Sequence, residues 1–241
     1  MATHDTVDDR AGAAGTTFSL AVFDVAGTTV IDGGAVVECL MQVLQKRSRV
    51  SVSDAMAVMG LPKPVAIRRL LSADGVPDTD LDRAVHDAHE EFRAAMIDRY
   101  RHGPLVAAEG AEPVFSALRR AGVRVALDTG FSRDILDAVI DRLGWAAGTI
   151  DFSIASDEVP HGRPHPDLIF RAMALAGTTD PGDVVKVGDT PSDMEQGLAA
   201  GCGRVVGVTY GTHTRDQLQR PGVVTIDRLS DLLPLMGVAA T

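Results

Sequence analysis

Apolar positions along the chain fall into two patterns. Residues 20–23, 123–127, 184–187 and 205–208 are short, nearly continuous apolar runs, with weaker runs at 152–155 and 223–226. Runs of this length predict strands buried on both faces, as in a parallel sheet. Between them the apolar residues recur at helical spacing. Residues 112–121, 132–143 and 166–176 each end at a glycine (Gly122, Gly144, Gly177), where a C-terminal cap is wanted, and Ser132 stands at an N-cap position. Alternating strands and helices predict an α/β fold with a Rossmann-like parallel sheet.

Residues 35–105 break this alternation. They read as helices only, over 35–46, 52–59, 64–73 and 81–101, punctuated by Gly60-Leu61-Pro62, Gly75-Val76-Pro77 and Gly103-Pro104. The expected organisation is a polar, disordered tail over 1–17, a core over 18–34 and 106–241, and an inserted all-helical cap domain over 35–105. Such an insert would sit above the carboxyl ends of the strands, where open α/β sheets bind ligands.

Composition narrows the function. The chain has 241 residues, 45% of them apolar, enough for a sizeable core, and its aromatic content of 4% makes that core mostly aliphatic. A formal charge of -10 argues against nucleic acid as a partner. The two cysteines, Cys39 and Cys202, form no metal or disulfide spacing and suit a cytoplasmic location. No apolar stretch approaches a membrane span, and the N-terminal residues lack the order of a signal peptide.

The chemistry concentrates at strand ends. The first apolar run stops at Asp24, followed by Val25-Ala26-Gly27-Thr28-Thr29; the third stops at Gly188-Asp189-Thr190, with Asp193 beyond. A carboxylate there can attack phosphorus and form an aspartyl-phosphate. Two anions must then meet, so a cation is required. Asp24, Asp189 and Asp193, with the backbone carbonyl of Ala26, offer the oxygen donors that Mg²⁺ prefers. Thr28, Thr129 and the loop N–H groups can hydrogen-bond phosphoryl oxygens, and Arg163 can neutralise developing charge. His86 and His89 read as a solvated helix face, His161 and His165 as loop polarity, and Trp145 as a packing anchor.

The segments containing Asp24 to Val30, Leu127 to Ser132, Gly162 to Asp167 and Val187 to Met194 resemble, in order, the four motifs of the haloacid dehalogenase superfamily. The resemblance spans about residues 18–236 and implies a Rossmann-like core, a helical cap, Mg²⁺ and an aspartyl intermediate. Ala26 sharpens it, because phosphatases of this type carry a second carboxylate two residues after the nucleophile. The wording Ala26-Gly27-Thr28-Thr29 is similar to the phosphonatase branch, which breaks carbon–phosphorus bonds. There the leaving group is a carbanion, and a lysine imine takes up its electrons. Met59-Gly60-Leu61-Pro62-Lys63 resembles the segment carrying that lysine. The resemblance therefore implies Lys63 as the Schiff-base residue, with Met59 and Gly130 beside Thr28 at the substrate. The chain departs from the branch at Ala66, Phe131 and Gly34, where the branch has His, Tyr and Cys. The expectation is an Mg²⁺-dependent hydrolase of a small anionic phosphonate or phosphate, most similar to phosphonatases. The alternatives are a phosphatase acting on an ester such as phosphoglycolate or a sugar phosphate, and a non-catalytic binding protein. The resemblance also permits a homodimer through the cap.

Overall fold

All six strands predicted from apolar runs form within one residue of their expected bounds in the computed structural model, which describes residues 16–146 and 148–239. Residues 1–15 of the expected tail lie outside the described residues. In chain order the elements are β1 (Leu20–Asp24), β2 (Val30–Ile31), α1 (Ala35–Leu44), α2 (Val52–Met56), α3 (Lys63–Ala73), α4 (Asp78–His102), β3 (Val106–Ala107), α5 (Ala111–Arg120), β4 (Arg124–Asp128), α6 (Arg133–Leu143), β5 (Phe152–Ile154), α7 (Asp167–Ala176), β6 (Val184–Gly188), α8 (Pro191–Ala200), β7 (Arg204–Val208) and β8 (Val223–Ile226).

The main sheet has the order β5-β4-β1-β6-β7-β8, and every pairing in it is parallel. β1 lies at the centre, where the chain order reverses, so its carboxyl end opens at the topological switch point. Successive β1 residues face opposite layers. Ala21 and Phe23 join the large core, which includes Phe115 of α5 and Leu136 of α6, while Leu20 and Val22 pack with Leu168 and Ile169 of α7. This two-sided burial is why β1 reads as an unbroken apolar run. Phe115 stacks edge-on to both Phe23 and Trp145, and the Trp145 indole N–H donates to Glu112. Trp145 is thus the packing anchor expected.

Helices α1 to α4 all fall between β2 and β3, which pair antiparallel where the chain leaves the sheet layer and returns to it. α4 lies against α6, tied to it by Arg93 Nε donating to Asp134 at 3.1 Å. α6 and α7 end at left-handed Gly144 and Gly177, as expected. Ser132 occupies the N-cap position of α6, but its hydroxyl donates to Asp134 instead of accepting a backbone N–H. α2 is shorter than predicted, because the chain turns at Gly60, with φ +83, to bring the next segment onto the sheet layer.

Candidate active site

Asp24 is the last residue of β1, and hydrogen bonds lock the loop after it. The N–H groups of Thr28, Thr29 and Val30 all donate to the Val25 carbonyl, and Thr29 Oγ1 donates to the Asp24 carbonyl at 2.9 Å. The Tyr210 hydroxyl donates to the Thr28 carbonyl at 2.6 Å. Gly27 has φ +91, and a Cβ there would lie 2.2 Å from Asp189 Oδ2, so only glycine lets the loop run this close to the second carboxylate. Thr28 lies beneath the cavity wall rather than in its lining. Its hydroxyl spans the two carboxylates, 3.5 Å from Asp24 Oδ2 and 3.3 Å from Asp189 Oδ1.

Four buried aspartates gather under this loop: Asp24, Asp128, Asp189 and Asp193. Against them stand two buried cations in direct contact. Arg163 pairs with Asp24 at 2.7 Å and with Asp193, while Lys186 pairs with Asp128 and lies 3.1 Å from Asp193. Asp24, Asp128 and Asp193 each bring a carboxylate oxygen within 4.8 Å of the others. The ligand set expected from sequence held Asp189 and omitted Asp128, which Lys186 engages.

The charges are unevenly matched. Burial pushes Asp193 up, but Arg163 and Lys186 outweigh it and hold the carboxyl below the usual range. The Thr190 hydroxyl adds a bond of 2.6 Å while the pair caps α8. Asp24 is raised by burial; Arg163 opposes this, and the negative charges of Asp193 and Asp189 add to it. Asp189 is raised by burial and by Asp193, and its Oδ2 accepts from Thr212 N at 2.6 Å. The cluster therefore carries more negative than positive charge, and all its anionic donors are oxygens. Both features fit a hard divalent cation. Arg163 Nε is buried without a hydrogen-bond partner among the described residues, which leaves a donor for an anion.

A cavity of ≈ 330 Å³ opens above the cluster, and Asp24, Ala26, Met59, Lys63, Thr129, Gly130 and Arg163 all line it. The chain from Gly60 to Lys63 is pressed onto the sheet-end loops. A Cβ on Gly60 would lie 2.3 Å from Thr190 Oγ1, one on Gly130 2.9 Å from the Leu61 carbonyl, and one on Gly162 2.4 Å from Pro62. Lys63 is the first residue of α3 and is 4% exposed. Its Nζ lies 5.5 Å from the centroid of the Phe131 ring and, among the described residues, makes only a long contact, 3.5 Å, with the Leu61 carbonyl. Burial, assisted by the Arg163 charge, brings its amine down to about 8. Met59 and Gly130 thus line the same cavity as Asp24.

Some residues of the site escaped the sequence reading. Lys186 interrupts an otherwise apolar strand, and a lysine in such a run is itself a signal of a buried ion pair. Asp32 lines the cavity as well, its carboxylate accepting from Tyr100 of α4, with nothing local to mark either residue. His86, His89, His161 and His165 do not line the cavity; His161 is exposed and pairs with Asp167 at 3.1 Å.

Fold and site together define a doubly wound parallel α/β protein with a buried carboxylate cluster at the strand ends. A family model described as haloacid dehalogenase-like hydrolase matches residues 18–201, and the chain belongs to that family. Phosphonoacetaldehyde hydrolase of Bacillus cereus (strain G9842) is 32% identical over 205 residues, covering 79% of this chain and 75% of that protein. Among solved structures, a phosphonoacetaldehyde hydrolase like protein from Oleispira antarctica superposes with a TM-score of 0.76 at 21% identity, over 96% of this chain and 95% of that one. A hydrolase from Pseudomonas syringae gives 0.71 at 18% identity, over 86% and 92%. Among the described residues no helix is long and apolar enough to cross a membrane.

Proposed function

We propose that the protein is an Mg²⁺-dependent phosphonatase that cleaves the carbon–phosphorus bond of phosphonoacetaldehyde or a close carbonyl phosphonate. The observation that carries this reading is Lys63: a nearly buried amine, lowered to about 8, lining the same cavity as Asp24. Asp24 is the nucleophile. Thr129 and Arg163 bind the phosphonyl group, and Arg163 Nε supplies the spare donor. Residues 35–105 act as the cap, carrying Lys63 and Met59 onto the core. Asp24, the Ala26 carbonyl and Asp189 would hold Mg²⁺, with Asp193 in support. When bound, Mg²⁺ offsets the charge of nucleophile and phosphonyl group.

The lysine amine condenses with the aldehyde, releasing water and leaving an iminium. Asp24 then attacks phosphorus. The carbon–phosphorus bond breaks, and its electron pair moves into the iminium as an enamine. Water hydrolyses the aspartyl-phosphate, and protonation and hydrolysis of the enamine free acetaldehyde and Lys63. Ester cleavage asks instead for a proton donor to the leaving alkoxide. Ala26 supplies none, which disfavours the phosphatase alternative. The test is Mg²⁺-dependent phosphate release from a panel of phosphonates and phosphate esters. Release from carbonyl phosphonates, lost in Asp24→Asn, supports the reading; release from esters alone overturns it.

A further inference from the structure

Condensing an amine with an aldehyde needs protons moved twice: from nitrogen as it attacks, and to the oxygen that leaves as water. Few groups in the cavity can do this. Of the titratable side chains lining it, Asp24 is paired with Arg163, and the Tyr210 hydroxyl is committed to the Thr28 carbonyl. One turn along α3 from Lys63 stands Ala66, buried and without a titratable group. The remaining carboxylate in the lining is Asp32, 9% exposed.

Asp32 is held rather than loose. Oδ1 accepts from Gly34 N at 3.0 Å, and Oδ2 accepts from the Tyr100 hydroxyl at 3.0 Å. Tyr100 is fully buried on α4 and meets the Phe131 ring edge-on at 6.0 Å, and that ring lies beneath Lys63 Nζ. Burial and the Asp32 charge push the Tyr100 phenol up, so it stays a donor. The Asp32 charge also acts on Lys63, favouring its ammonium against burial and Arg163.

We infer that Asp32 is the proton-transfer residue for imine formation at Lys63, with Tyr100 as its positioning residue. This rests on the Schiff-base reading above. Asp32 lines the cavity with Lys63 but makes no ion pair with it; its carboxylate takes one proton from the Lys63 ammonium across a bridging water, and the free amine adds to the carbonyl carbon. Asp32 gives that proton to the new alkoxide and takes a second from the adduct nitrogen. It returns the second to the hydroxyl, which leaves as water. Nitrogen keeps one hydrogen as the iminium, and Asp32 ends as carboxylate.

The test is borohydride trapping of Lys63 with phosphonoacetaldehyde, read by mass spectrometry over time. Wild type is expected to trap one adduct on Lys63. Asp32→Asn is expected to trap at least about 10²-fold more slowly, with inorganic phosphate binding unchanged. Asp32→Ala should regain rate with added formate, which a purely structural role would not produce. Tyr100→Phe leaves the carboxylate in place and should slow trapping about tenfold; it serves if Asp32→Asn fails to fold. Trapping of both Asp32→Asn and Tyr100→Phe at the wild-type rate would overturn the inference alone. Absence of trapping in wild type would overturn the Schiff-base reading and the inference with it.

Discussion

Replacing Lys63 with Met should stabilise the protein while removing its imine chemistry. Lys63 is 4% exposed, and its amine falls from 10.5 to about 8 on folding, chiefly through burial. That fall corresponds to about 3 kcal/mol of penalty on the charged form at neutral pH. The compensating contacts are weak, an aromatic ring at 5.5 Å and a carbonyl at 3.5 Å. Met has a similar shape and no charge to desolvate. The expected net gain is about 2 kcal/mol, or roughly 4–8 °C in Tm for a domain of this size. The sign with pH follows from proton binding. Between pH 8 and 10.5 the unfolded chain holds a proton on Lys63 that the folded chain has released. Wild-type stability from this group therefore rises with pH across that window, and the advantage of Lys63→Met should shrink toward pH 10. Thermal melts of both proteins from pH 7 to 10 decide it. A variant that melts below wild type at pH 7, or an advantage that does not change with pH, would refute the argument that Lys63 is held against its solvation preference.

Three other outcomes follow from the charge cluster and its loop. Mg²⁺ should raise Tm, because it binds carboxylates that repel one another in the folded state; at about 100 times its Kd the gain is about 2.7 kcal/mol, and Asp189→Asn should abolish most of it in a thermal-shift titration. Lys186→Met leaves buried Asp128 unpaired and takes one cation from Asp193, which should cost about 3–5 kcal/mol in urea unfolding. Gly27→Ala forces a Cβ against Asp189 at a backbone angle that favours glycine, and should cost at least about 2 kcal/mol and eliminate phosphate release.

The sheet was legible because its strands are buried on both faces, so each declares itself as an apolar run without neighbours to consult. The parallel topology then explains why the motif residues fall into one group from sequence alone. Asp24, Thr129 and Asp189 each stand at or just beyond the carboxyl end of a strand, and all those ends open on one side. The start of helix α8 is ambiguous in sequence, because Thr190 with Asp193 fits a metal-ligand pattern as well as the capping box it forms. β2 and β3 are two residues each, too short to show a period. Asp32 and Tyr100 are 68 positions apart, and only the fold of α4 over the sheet-end loops joins them. No local pattern carries such a contact.

The most direct test of the central claim is product release from phosphonoacetaldehyde with Mg²⁺, comparing wild type with Lys63→Met. Phosphate and acetaldehyde should appear together in wild type and be lost by at least about 10³-fold in the variant, whose fold is intact by thermal melt. Equal release by both proteins, or none by wild type, would contradict carbon–phosphorus cleavage through a Lys63 imine.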